Sequence, residues 1–117
     1  MSDTNGMSLS ADVPVPVLAF IEATNAGDGE ALVQLFTEDA FLSDCGREHR
    51  GRQGVAEWDR TDNIGEHTRF DLLGCKPGET PQEVLATVMV TGDGYNGTSD
   101  LAFTLRGDAI SRLVIAP

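Results

Sequence analysis

From Arg69 to Ile115 the chain reads RFDLLGCKPGETPQEVLATVMVTGDGYNGTSDLAFTLRGDAISRLVI. Apolar residues recur with a period of two over Arg69 to Cys75, Glu83 to Thr91, Asp100 to Leu105 and Ala109 to Ile115. That period sends successive side chains to opposite faces of a strand. Between the runs stand Lys76-Pro77-Gly78-Glu79-Thr80-Pro81, Gly92 to Gly97 and Arg106-Gly107-Asp108, built from residues that give a turn the backbone angles it needs. The segment reads as four strands joined by hairpin connections.

Upstream the period lengthens. Val17, Phe20, Ile21 and Thr24 fall at i, i+3, i+4 and i+7, which predicts a helix beginning near Val13, with Pro14 and Pro16 at its entry or first turn. Asn25-Ala26-Gly27 offers a stop, and Asp28 can cap a second helix with the stripe Ala31, Leu32, Leu35 and Phe36. Thr37 to Ala40 breaks this pattern. Phe41-Leu42-Ser43-Asp44 then reads as a short strand with Leu42 and Asp44 on one face. Cys45 to Arg52 is a polar loop, and Gln53 to Arg60, with Val55 and Trp58, predicts a third helix ending before Gly65. Three helices followed by a meander argue an α+β fold, with the helices packed on one face of a mainly antiparallel sheet.

The length of 117 residues suits one domain, expected over 13–117, while the polar, small residues 1–12 are expected to form a disordered tail. A hydrophobic share of 40% with 23% charged residues is enough to build a core. Nineteen acidic against eight basic side chains, a formal charge of -11, argue against nucleic acid and anionic membrane surfaces as partners. Two cysteines without metal-ligand spacing, no leader-like N-terminus and no apolar run of about 18 residues predict a cytoplasmic protein. His49 reads as a solvated loop residue, and His67 stands beside Glu66. Neither has a spacing that implies a metal, and none is expected. Gly92-Asp93-Gly94-Tyr95-Asn96-Gly97 lacks the closing glutamate of a calcium loop, and a hairpin explains its glycines. No phosphate loop or nucleophile elbow occurs, so no cofactor is expected.

Three stretches carry a likeness in order and spacing: Phe20 to Asp28, Leu35 to Ala40, and Arg50-Gly51-Arg52-Gln53-Gly54-Val55. Together they resemble the nuclear transport factor 2-like superfamily, and within it the group of SnoaL-like polyketide cyclases and ketosteroid isomerases, over residues 13–116. The resemblance implies a cone-shaped, cystatin-like roll, a curved sheet, a pocket between helices and sheet suited to a small apolar ligand, and a homodimer.

On this resemblance Asp44 stands where the isomerases keep their general base. A carboxylate beside apolar groups is partly desolvated and becomes a better acceptor for a proton next to a carbonyl. The other reading is a strand-end carboxylate that caps the loop or pairs with Arg47 or Arg50. Related isomerases hold the enolate oxygen with a tyrosine hydroxyl and a protonated aspartic acid. Here Phe20 occupies the tyrosine position and has no hydroxyl. Asp100, ten residues before Ile110, is the weaker candidate for the acid, because a slip of one residue moves it to the other face. Phe20, Leu42 and Trp58 are the expected ligand contacts, with core packing as the alternative for Phe20 and Trp58. Three functions follow: a cofactor-free isomerase or cyclase with Asp44 as base, a non-catalytic binding module, or a structural dimer whose interior is filled by its own side chains.

Overall fold

The corner Asn25-Ala26-Gly27-Asp28 turns the chain where the sequence places it. The structure, a computed structural model, describes residues 13–116, and the expected tail over 1–12 lies outside them. Helix α1, Val15–Ala26, stops at Gly27, whose φ of 70° is the left-handed conformation that glycine adopts without a Cβ clash. The N–H groups of Gly27 and Asp28 donate to the carbonyls of Thr24 and Ala23 at 3.0 and 2.9 Å. The Asp28 carboxylate accepts the N–H of Ala31 at 3.1 Å and opens α2, Gly29–Gln34. Asn25 works across the fold: its side-chain amide donates to the Phe70 carbonyl at 2.9 Å and accepts from the Phe70 N–H at 2.8 Å. It thereby supplies both hydrogen bonds that an edge strand lacks at that point.

Six strands follow in the sheet order β2-β1-β6-β5-β4-β3. They are β1 (Phe36–Asp44), β2 (Arg47–Arg50), β3 (Arg69–Pro77), β4 (Glu83–Thr91), β5 (Gly97–Arg106) and β6 (Ala109–Ile115), with α3 at Gly51–Asp62 and a 3-10 turn at Ile64–Glu66 between β2 and β3. The hairpin pairs are antiparallel, while β1 runs parallel to β6, so the sheet is mixed and open.

Two expectations are corrected here. Phe36 belongs to β1, opposite Ile110, and does not close the stripe of α2; the register shifts between Phe36 and Phe41. That irregularity hides the two-residue period across Thr37 to Ala40. The stretch read as a loop contains β2, an edge strand of four polar residues that carries no apolar signal. The Nε–H of Arg52 donates to the Phe36 carbonyl at 2.9 Å and ties the start of α3 to the start of β1.

The core lies between the helices and one sheet face. Val17, Phe20 and Ile21 of α1 and Val55 and Trp58 of α3 meet Leu42, Phe70, Val88, Leu101, Phe103 and Leu113. Phe20 is the hub. It is fully buried and meets Phe36 and Phe103 edge-on, with centroids 6.2 and 5.4 Å away. It stacks on Trp58 at 6.4 Å and on Phe70 at 5.7 Å. Offset and edge-on pairs of this kind add to the gain from burying the rings.

Candidate functional site

Asp44 is the last residue of β1, and its Cα partners are Arg47 on β2 and Ile115 on β6. Ile115 in turn pairs with Leu101 of β5, so Asp44 shares its sheet face with an apolar row. Trp58 descends from α3 onto the same place: its indole N–H donates to Asp44 Oδ2 at 2.9 Å. The half-buried carboxylate is thus held in one orientation by a donor that is itself 2% exposed.

The two residues border a cleft of about 140 Å³. Phe70, Val90, Leu101 and Ile115 give it apolar walls, while Asp62, Asn63, Thr68, Thr98 and Ser99 bring polar groups. Asp62 meets Arg47 at 3.3 Å, which joins the end of α3 to the β1–β2 hairpin. Asn63, 1% exposed, donates to the Thr24 hydroxyl and to Asp59 Oδ1, each at 3.0 Å. Burial pushes the Asp59 carboxyl up, against the opposing pull of hydrogen bonds from Asn63 and the Ile64 N–H. Cys45 lies at the rim with a left-handed φ of 53°. Burial first, then the charge and hydrogen bonding of Asp44, push its thiol up and disfavour the thiolate.

The SnoaL-like domain family matches residues 17–113. The chain belongs to that family. Among solved structures, a candidate polyketide cyclase of Sinorhizobium meliloti is 26% identical with a TM-score of 0.81, over 91% of this chain and 97% of that one. SalBIII, an epoxide hydrolase/cyclase-like enzyme in pyran ring formation in the polyether salinomycin, is 20% identical with a TM-score of 0.73, over 86% of each chain. A cystatin-fold protein of Novosphingobium aromaticivorans is 20% identical with a TM-score of 0.67, over 87% of this chain and 95% of that one. Among curated proteins none matches the chain.

This SnoaL-like domain brings Asp44 and Trp58 together and leaves other expected site residues elsewhere. Phe20 and Leu42 are fully buried in the core and form no part of the cleft wall. Asp100 is exposed on the opposite sheet face, where its Oδ1 accepts the hydroxyl of Thr87, its cross-strand partner, at 2.7 Å. The register turns its neighbours Ser99 and Leu101 toward the cleft instead.

His49 is not solvated as its loop-like context suggests. It sits on β2 opposite Leu42 and against Gly54 of α3, with Nε2 buried and without a hydrogen-bond partner.

Tyr95 is the residue that the hairpin reading overlooked. It borders the cleft, and its hydroxyl donates to the Thr98 carbonyl at 2.7 Å. A Cβ on Gly97 would stand 2.7 Å from that hydroxyl, so the tyrosine needs glycine beneath it. The hairpin is fastened at its base: the Asp93 N–H donates to the Glu66 carbonyl at 2.8 Å, and Asp93 Oδ2 meets His67 Nδ1 at 2.6 Å. Hydrogen bonding to Asp93, then its charge, raise the His67 imidazole above its ordinary value.

Proposed function

We propose that this SnoaL-like domain binds a small, largely apolar carbonyl compound in the Asp44 cleft and transfers a proton on it, in the manner of an isomerase or cyclase. The observation that carries the reading is the Trp58–Asp44 hydrogen bond at the edge of an apolar cleft. An oriented carboxylate beside a low-dielectric surface is the arrangement that general-base chemistry on a carbon acid requires. Asp44 takes the proton next to the carbonyl, the C–H electron pair moves to form the enolate, and Asp44 returns the proton to the same or a conjugated carbon. The hydroxyls of Thr68 and Ser99, both in the lining, are the donors for the developing oxygen charge. They take the place of the hydroxyl that Phe20 lacks and of the acid that Asp100 does not bring to this face.

Deuterium uptake tests the base directly. Small ketones and enones are incubated with the protein in D₂O, and exchange next to the carbonyl is followed by proton NMR. Wild type accelerates exchange of the compounds it binds, and Asp44→Asn reduces that acceleration by at least about a hundredfold, the order expected for loss of a general base. Unchanged exchange in Asp44→Asn sinks the assignment of the base.

A second reading, a binding module without turnover, draws on Asp100, which lies on the opposite sheet face with Thr87 and brings no acid to Asp44, and on Phe20, which has no hydroxyl. Binding that survives in wild type with no exchange at all supports it. We further propose that two copies pair through the sheet face turned away from the helices.

A further inference from the structure

Phe20 sets the depth of the cleft. Its ring stacks on Trp58 at 16° and on Phe70 at 22°, both of which line the cleft, and no part of it is exposed. The interior behind the cleft is therefore filled by the chain's own aromatic side chains. The remaining 140 Å³ is close to an apolar cavity of about 150 Å³ that takes a benzene molecule, and it is below the roughly 300 Å³ at which pockets for larger ligands begin. A second fused ring cannot go inward past Trp58 and Phe70, which Phe20 backs. Outward, the mouth is edged by Tyr95, anchored through its hydroxyl to Thr98.

Charge narrows the choice further. Asp44 and Asp62 both line the cleft, and no lysine, arginine or histidine does among the described residues. Arg47, beside the mouth, is already paired with Asp62 at 3.3 Å. An anionic ligand would meet two carboxylates near a poorly polarisable wall, and the net charge of -11 opposes its approach.

We propose that the cleft selects an uncharged carbonyl compound of a single ring, and discriminates against fused-ring compounds and against carbonyl compounds that carry a carboxylate. This rests on the reading of the Asp44 cleft as the ligand site. It follows from the Phe20 stack and the two aspartates rather than from the base itself.

Binding isotherms separate the two ideas. Wild type and Asp44→Asn are titrated with 2-cyclohexenone, acetophenone, 1-tetralone, a steroid enone, and the pair methyl benzoylformate and benzoylformate. The single-ring ketones and the ester bind wild type at least tenfold more tightly than 1-tetralone, the steroid and the benzoylformate anion. Asp44→Asn and Asp62→Asn each narrow the gap between ester and anion. Phe20→Leu, which replaces the ring that backs the cleft with a smaller aliphatic side chain, narrows the gap between acetophenone and 1-tetralone. The size test stands on wild type alone if that variant fails to fold.

Two-ring or steroid ligands binding wild type as tightly as one-ring ligands overturn the proposal. So does an anion that binds as well as its ester, and so does silence from every single-ring probe. Selective binding without deuterium exchange leaves the selection intact and sinks only the proton-transfer reading.

Discussion

Trp58 has a ring that belongs to the core and an N–H that belongs to the site. The ring stacks on Phe20, while the indole N–H reaches Asp44 Oδ2 at 2.9 Å. Trp58→Phe separates the two roles, because it keeps most of the apolar volume and removes the donor. A hydrogen bond to a charged group is worth about 1.5–3 kcal/mol, so the carboxylate loses both orientation and stabilisation. The expected result is a folded variant, less stable by about 1–2 kcal/mol in urea titrations, from a lost partner and a partly collapsed site. Its exchange rate on a bound ketone falls by about tenfold or more, with ligand affinity changed much less. Exchange at the wild-type rate would show that the indole serves packing only.

At the scale of elements, α1 and α3 are joined by a buried polar chain: the Thr24 hydroxyl, the Asn63 amide and the Asp59 carboxylate. Asp59 is 5% exposed, and burial raises its carboxyl above the ordinary value. The folded protein therefore keeps this proton to higher pH than the unfolded chain does. The folded state binds more protons between the ordinary carboxylate value and the raised one, so stability from this group is full below that window and is lost as pH rises through it. Asp59→Asn retains an oxygen that can accept from Asn63 and removes the titration. Its melting temperature should gain on that of wild type between pH 4 and pH 7, a comparison that calorimetric scans make directly. Parallel curves for the two proteins would mean that Asp59 does not titrate in this range.

Elements also show what the sequence could disclose. The strands Glu83–Thr91 and Ala109–Ile115 stand at the bounds their alternation predicts; the first pairs with β5 without a shift and buries Ala86, Val88 and Val90 in alternation, while the second keeps its bounds across a register shift against β5. The corner at Gly27 was legible because its chemistry is local. The start of β1 was not: a parallel partner 74 positions away, Ile110 opposite Phe36, decides it, and no local period records such a pairing. Asp100 turned on a one-residue register choice, which the pairing of β5 with β4 settles toward Thr87. The hairpin reading of Gly92 to Gly97 gives Tyr95 no place at the cleft, because that place depends on Gly97 and on the fastening of Asp93 to Glu66, neither visible in a list of turn-forming residues.

The whole molecule presents two unlike faces of one sheet. Ala86, Val88 and Val90 of β4 are buried toward the helices, while Leu85, Thr87 and Met89 face the other way. On that outer side Leu85, Ala102, Val114 and Ser43 stand in direct cross-strand register, a low row without a helix over it. Beside it Phe41 lies under the guanidinium groups of Arg50 and Arg112, at 4.9 and 4.5 Å from the ring centroid. These cations lower the local repulsion between copies that each carry a formal charge of -11. A two-fold pairing of this face would bury the row against itself. Its salt dependence has a definite sign: added salt screens the net repulsion, with a Debye length of about 10 Å at 0.1 M falling to about 3 Å at 1 M, while apolar contact is kept. Sedimentation should therefore show dimer at micromolar protein, strengthened between 0.05 and 0.5 M sodium chloride. Val114→Glu places a carboxylate on the row and should yield a folded monomer at either salt concentration. A wild type that sediments as monomer at high protein and high salt removes the proposed pairing, and a Val114→Glu dimer moves it to another face.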